Sequence, residues 1–483
     1  MTISPAFCYN LLIMKKLEQK KILIISLSAG IPALLLAAFF TFVGIRSFNF
    51  KNLYDAEPLS AEQQLSLTQE LHLKYGTQYE LLKPLPYNLE QPNLNLYAGS
   101  AILIDISNGN IIYEKNADEV IPPASMTKLF AMYVVDDEVS KGHLSYDQVI
   151  PLPEESWACN MPPHSSLMFL GEGQIVTLNE LLLGLSVASG NDAAYALAYT
   201  ISGSMEAFID RMNKVCTDMG LTHTHFVEAS GYSEENTTTA REMAAFCRKY
   251  LLEHPESLGK FHSVREFTYP KKRNMAPGDV YGPQDFSNGF PRHITMGITQ
   301  KNTNPLLDLI EGCDGLKTGY IDESGYNLAL TAKRNGTRFL SITMKGPGKT
   351  TKEGQQGRIH DGTELMDFAF LSFADFTRLE DVKSYFVKVY SAKEKAINLI
   401  PAYIPEAVCV PFVTGNSLAE NLKNVIVELE LPDSLEGEIT TGTEYGCIKI
   451  SVGNYLLETI PLVADRSIQQ AGFITSLCDK MIR

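Results

Sequence analysis

Three short motifs constrain this chain more than any other feature, because they can act only if the fold brings them to one place. In chain order they are Ser125-Met126-Thr127-Lys128, Ser189-Gly190-Asn191 and Lys317-Thr318-Gly319. A serine hydroxyl is a weak nucleophile at neutral pH until a neighbouring base takes its proton. A lysine three residues on shares its face if the segment is helical. Pro122-Pro123 stops the chain just before, and Met126, Leu129, Phe130, Tyr133 and Val134 then recur at helical spacing. Ser125 is therefore expected at a helix start, where free N–H groups favour developing negative charge. Lys128 can act as base only if its amine is largely neutral, a state that partial burial and a second cation promote. Lys317 is the candidate for that cation.

Ser189-Gly190-Asn191 separates two helical patterns, Leu178 to Leu185 and Asp192 to Ile201. Its polar side chains are expected to project from a loop. Ser189 suits proton transfer to a leaving amine, and Asn191 suits hydrogen bonds to Lys128 and to substrate backbone. Lys317 and Thr318 on an edge strand would recognise a terminal carboxylate, with Gly319 leaving room for substrate backbone. The N–H groups of Ser125 and Tyr320 are candidates for an oxyanion hole. Each motif alone arises often by chance; the ordered triple carries the reading.

The surroundings fit an α+β domain. Ser100 to Ile106 and Ile111 to Tyr113 read as strands joined by a tight turn, and Gly325–Thr331 and Thr337–Met344 as a pair around Asn335-Gly336. Helical patterns at 205–220 and 239–253 lie between, and another around Glu364–Phe373 closes the domain. From about Val382 the pattern changes. Val425, Val427, Leu429 and Leu431 alternate with mostly polar neighbours, as does the stretch from Cys447 to Val452, which implies a small all-β domain. Its tail carries Ile468, Ala471, Ile474, Leu477, Cys478 and Met481 at helical spacing, either as a membrane-surface helix or as one packed on its own domain.

Ile22 to Ile45 is an uncharged, mainly apolar run behind Lys15, Lys16, Lys20 and Lys21. About 20 apolar residues suffice to cross a bilayer as a helix. The run exceeds a signal-peptide core and no clean A-x-A site follows, which favours an uncleaved anchor over a cleaved signal. The lysines place the short N-terminus in the cytoplasm and the remainder outside. Met14, just ahead of them, offers an alternative start. Residues 47–95 read as a spacer with one short helix, opened by the capping-box pattern Ser60-Ala61-Glu62-Gln63. The expected organisation is 1–21 cytoplasmic, 22–45 membrane segment, 46–95 linker, 96–380 catalytic domain, 381–463 β-domain and 464–483 tail. A net charge of −15 argues against a nucleic-acid partner. The 8 cysteines show no C-x-x-C spacing, so isolated thiols are expected, with a Cys409–Cys447 bridge as the alternative. Neither a metal nor an organic cofactor is called for.

The ordered triple resembles the signature of penicillin-binding proteins and class A β-lactamases. Over roughly residues 96–375 the likeness sharpens to serine-type D-alanyl-D-alanine carboxypeptidases of the peptidase S11 family. It is carried by Pro122 to Lys128, Ala188 to Ala194, Asn302-Thr-Asn-Pro-Leu-Leu307, Asp314 to Tyr320, Thr222 to Gly231 and Thr239 to Met243. The resemblance implies a penicilloyl-serine-transferase fold followed by a β-sandwich, and removal of the terminal D-Ala from peptidoglycan stem pentapeptides through a Ser125 acyl-enzyme. It implies capture by β-lactams as well. Arg358, ahead of the last helix, resembles a substrate-carboxylate arginine; a surface ion pair is the other reading. Ile321 departs from the usual Thr or Ser. Three alternatives stay open: cross-link endopeptidase, a class A-like β-lactamase using Glu228, and a catalytically weak wall-binding scaffold.

Overall fold

The computed structural model describes residues 5–76, 82–90, 92–280, 282–377, 383–405, 407–412 and 417–483. Its larger half is built on a six-stranded sheet. In spatial order the strands are Lys83–Pro84, Asn110–Lys115, Ser100–Asp105, Thr337–Gly346, Gly325–Arg334 and Cys313–Ile321. All neighbours are antiparallel except the first pair. Successive side chains of a strand point to opposite faces. Ile102 and Ile104 join one buried cluster with Leu129, Phe130 and Phe246, whereas Ala101 and Leu103 join another with Leu365, Met366 and Ala369. Burial on both faces explains why this strand reads as a continuous apolar run. At the Asn335-Gly336 turn both residues have positive φ, 51° and 93°, as a type I′ hairpin requires.

One face of the sheet carries the helices Thr127–Ser140, Leu178–Ser186, Asn191–Ser202, Met205–Met219 and Ala240–Glu253. Three of these five starts carry side-chain caps: the reciprocal Thr177–Glu180 box, Ser204 on the N–H of Ala207 and Thr239 on the N–H of Glu242. The opposite face is covered by a helix that begins much earlier than expected, at Thr351, and runs 22 residues to Ser372. Gly354, Gly357 and Gly362 weaken its helical signal, yet packing demands two of them. A Cβ at Gly354 would lie 2.2 Å from the Tyr326 ring, and one at Gly362 would lie 2.6 Å from Leu306.

Beyond it, Phe373–Phe376 pairs with Val408–Pro411, tying the catalytic half to the C-terminal domain. The expected boundary at residues 380 and 381 falls outside the described residues. The C-terminal domain holds a second six-stranded sheet in the order Ile426–Glu430, Glu444–Val452, Tyr455–Ala464, Ala396–Pro401, Tyr385–Tyr390 and Ser434–Glu436. Ile426–Glu430 is an edge strand exposed along its whole length, so its alternation does not mark a buried face. Cys409 is buried and Cys447 half-buried, and both are free thiols, as are the other described cysteines; the Cys409–Cys447 bridge is not formed. The side chain of Cys8 lies outside the described residues.

At the N-terminus a single helix runs from Pro5 to Lys51. Its described stretch Ile31–Lys51 is long and apolar enough to cross a membrane. The region read from sequence as a spacer has described residues that contact the C-terminal domain. Phe50 is buried and stacks on Tyr390 with ring centroids 4.7 Å apart. The carbonyl of Glu57 accepts from Arg466, and that of Gly442 from Lys74. Helix Ala61–Leu71 opens with the Ser60–Gln63 box. Further on, Lys83 pairs with Glu458, and the Tyr87 hydroxyl donates to the carbonyl of Cys409.

The tail forms a helix over Phe473–Ile482 that packs one side on its own domain. Cys478 and Asp479 face inward, and Asp479 holds Arg46 in a bidentate ion pair at the end of the N-terminal helix. Phe473, Ile474, Leu477 and Met481 remain exposed. Ile468 lies outside the helix and bridges to Ile439.

Candidate active site

Ser125 occupies a 3-10 turn, Ala124–Met126, that leads directly into the helix Thr127–Ser140. One turn on, Lys128 is fully buried. Its Nζ lies 3.0 Å from Ser125 Oγ, 2.8 Å from Asn191 Oδ1 and 2.5 Å from the carbonyl oxygen of Ser230. Burial pushes the Lys128 amine down to about 7, although Glu228 and Asp192 pull the other way. Of the two expected causes, burial is the leading one, and Lys317 is not among those acting on Lys128. Lys317 is itself buried, and its own affinity for a proton is lowered by desolvation first and by the Lys128 charge second.

The geometry orients the base. A neutral amine keeps two N–H donors and one lone pair. Asn191 Oδ1 and the Ser230 carbonyl are pure acceptors and take the two donors, so the lone pair is left facing the Ser125 hydroxyl. On its other side the Asn191 amide donates from Nδ2 to Ser165 Oγ at 3.1 Å.

Ser189 sits on the loop between its two helices with a positive φ of 57°, and Ala124, before the nucleophile, has φ 50°. Backbone strain of this kind in non-glycine residues collects at sites whose surroundings over-determine the conformation. The loop is fixed from below by Asp192. Its buried carboxylate accepts from the N–H groups of Met168, Phe169 and Leu170 at 2.8 to 3.0 Å. Asn191 N–H also donates to the Ser166 carbonyl at 2.8 Å.

Lys317, Thr318 and Gly319 lie on the edge strand Cys313–Ile321, which runs past the nucleophile turn. A Cβ at Gly319 would stand 2.5 Å from the Pro123 carbonyl oxygen and 3.2 Å from the Ser125 nitrogen, so only glycine permits this approach. The same contact brings the Tyr320 end of the strand to Ser125. Lys317 Nζ donates to the Thr318 carbonyl at 2.9 Å, and Thr318 Oγ1 to Thr303 Oγ1 at 2.7 Å.

Arg358 does not take either of its expected positions. It lies inside the Thr351–Ser372 helix, buried behind the strand. Its guanidinium donates to the carbonyls of Gly319 and Asn327 at 2.5 and 3.0 Å and stacks over Tyr326. It therefore braces the K-T-G strand from the rear. Its guanidinium pairs with no carboxylate among the described residues, and burial lowers its pKa to about 10.

Ser125, Asn191, Tyr320 and Ile321 open onto a cleft of about 770 Å³, with His164 and Asp322 on its rim. Glu228, weighed as a water-positioning group of lactamase type, is spent on its own loop: its carboxylate accepts from Ser230, Gly231 and Asn236. Ser165, Ser230 and Thr303 were not singled out from sequence. Thr303 and Ser230 had a signal there, as the centre of Asn302-Thr303-Asn304 and within Thr222 to Gly231, whereas Ser165 had none. Ser165 contributes through loop geometry.

A serine paired with a buried lysine, a polar loop and a K-T-G edge strand around one cleft have the form of a penicillin-recognising serine acyltransferase. Residues 87–348 match the family model described as D-alanyl-D-alanine carboxypeptidase, Peptidase S11, and residues 381–470 match the penicillin-binding protein 5 C-terminal domain. The chain belongs to the peptidase S11 family of D-alanyl-D-alanine carboxypeptidases. It is 29% identical over 384 residues to D-alanyl-D-alanine carboxypeptidase DacF of Bacillus subtilis, covering 79% of this chain and 88% of that protein. It is 28% identical over 387 residues to DacA of Escherichia coli, covering 79% and 86%. Among solved structures, penicillin binding protein 5 of Haemophilus influenzae superimposes with a TM-score of 0.64 at 27% identity, covering 79% of this chain and all of that one.

Proposed function

We propose that this protein hydrolyses the terminal D-Ala–D-Ala bond of peptidoglycan stem pentapeptides as a serine carboxypeptidase, with Ser125 as nucleophile and Lys128 as general base. The observation that carries this reading is the three-way environment of Lys128 Nζ, which aims a lone pair at Ser125 Oγ. As Oγ attacks the penultimate D-Ala carbonyl, Lys128 takes its proton, and the oxyanion meets the N–H groups of Ser125 and Tyr320. The terminal D-Ala leaves after protonation by Lys128 or through Ser189, with its carboxylate held by Lys317 and Thr318. Asn191 and the backbone at Gly319 align the peptide. Water, deprotonated by Lys128, then attacks the ester and Ser125 is restored.

β-Lactams acylate the same hydroxyl because their carbonyl and carboxylate are spaced like those of the substrate; the penicillin-binding names of structural neighbours support this. The N-terminal helix anchors the chain, with the catalytic half outside the cytoplasm. Ile321 on the cleft wall lacks the hydroxyl usual in the family, which favours a slower enzyme over a different reaction.

The test is release of free D-Ala from diacetyl-Lys-D-Ala-D-Ala by wild type beside Ser125→Ala. Turnover that disappears in the variant is expected. A folded wild type that captures labelled penicillin yet releases no D-Ala would instead indicate cross-link cleavage or a scaffold role.

A further inference from the structure

We propose that Glu228 is a positioning residue for the Lys128 base, acting through the Ser230 carbonyl and through its own charge. The proposal rests on the reading of Lys128 as general base. The Ser230 carbonyl decides where one Lys128 N–H points, and so where the lone pair points. Ser230 is itself held at both ends by Glu228: its N–H and its hydroxyl donate to Oε2 at 2.6 and 2.5 Å. Gly231 N–H donates to Oε1 at 2.5 Å, and Asn236 Nδ2 to the same oxygen at 2.9 Å.

The bracket extends to the nucleophile helix. Asn236 Nδ2 also donates to Thr127 Oγ1 at 3.3 Å, one residue from the base, and Asn236 Oδ1 accepts from the N–H of Val227 at 2.8 Å. Gly231 presses on the other side of the serine turn, since a Cβ there would sit 1.9 Å from the Ala124 carbonyl oxygen. One loop thus sets both the direction of the base and the height of the nucleophile.

A carboxylate is required here because the N–H groups of Ser230 and Gly231 use opposite oxygens. An amide has only one oxygen and would turn its NH₂ on a donor.

The charge has a separate role. Three groups face Lys128: Glu228 from this loop, Asp192 from the helix Asn191–Ser202, and Lys317 from the edge strand, with Arg358 behind Lys317. Burial weakens the amine as a base, and the two carboxylates offset that loss. A base works best with its pKa near the working pH. Loss of the Glu228 charge lowers the pKa of Lys128 and leaves it more often neutral but less basic.

The experiment is the pH dependence of acylation by a fluorescent penicillin, on the full chain in detergent, for wild type, Glu228→Gln and Glu228→Asp. The Gln variant is expected to lose about tenfold or more in limiting rate and to move its acidic limb down by about half a pH unit or more. The Asp variant, which keeps the charge, is expected to slow while its limb stays in place. A merely structural role would slow the Gln variant without moving the limb, and that result overturns the proposal, as does a Gln variant within twofold of wild type. If Gln fails to fold, a displaced limb in the Asp variant overturns it. Lys128→Ala acylating at the wild-type rate would remove the base reading itself, a failure distinct from that of Glu228.

Discussion

Gly231→Ala offers the most discriminating perturbation of this site, because its effect divides into a backbone part and a contact part. Gly231 has φ +78°, which a side chain adopts at a cost of roughly 1–2 kcal/mol. The added Cβ would also stand 1.9 Å from the Ala124 carbonyl oxygen and 2.8 Å from the Ser125 nitrogen. Contact distances for such pairs begin above about 3 Å, so the nucleophile turn must retreat by about 1 Å. A displacement of that size at a reacting group costs on the order of 10²-fold in rate. Gly220→Ala is the control: its φ is +70°, with nothing within 4 Å of the added Cβ. Acylation by labelled penicillin, followed by stopped flow beside thermal unfolding, separates the two parts. Gly220→Ala should lose stability alone, by about 1–2 kcal/mol. Gly231→Ala should lose comparable or greater stability and about 10²-fold in acylation. Equal acylation rates in the two variants would refute the claim that the 231 loop positions Ser125.

Two further outcomes follow from the same geometry. With Lys128 at about 7, its neutral fraction is about one in eleven at pH 6 and about nine in ten at pH 8, so acylation should rise about tenfold over that interval and then level. A rise continuing tenfold per unit to pH 10 would mean an ordinary exposed lysine. The same shift has a stability consequence. The folded-state pKa lies below the unfolded one, so the cost of burying the charge is constant below pH 7 and disappears between pH 7 and 10.5. Lys128→Met should therefore stabilise the fold at pH 6 and do so progressively less towards pH 10, as read by chemical denaturation. At the other end of the molecule, Arg46→Ala leaves the buried Asp479 carboxylate without its cation and should destabilise the C-terminal domain by about 3–5 kcal/mol. Arg46→Met with Asp479→Leu should recover most of that loss in melts of the detergent-solubilised chain, and a single variant melting like wild type would show that the anchor and domain are not coupled.

Features with a local cause were legible in the amino-acid sequence. The Asn335-Gly336 hairpin, the Ser60–Gln63 helix cap and the placement of Ser125 and Lys128 one turn apart follow from turn chemistry and periodicity, which act over a few residues. Membership of the family was legible for a related reason: its motifs are short and their order survives in one dimension. The helix Thr351–Ser372 was read short because Gly354 and Gly362 argue against a helix locally, whereas tight contacts with Tyr326 and Leu306 require them. Arg358 was misplaced with it.

The properties that make the serine–lysine pair reactive belong to the tertiary structure. Burial depresses Lys128, and the side chains that enclose it come from distant parts of the chain. Ser230 and Glu228 enter the site only because their loop folds back over the nucleophile turn. Arg46 and Asp479, 433 residues apart, become partners because the end of the N-terminal helix packs on the tail helix Phe473–Ile482. Sequence determined which chemistry the chain carries and which short elements it forms, since both depend on near neighbours. Proton affinities, lone-pair direction and the seating of the anchor were decided by packing, because each depends on which groups exclude water from which others.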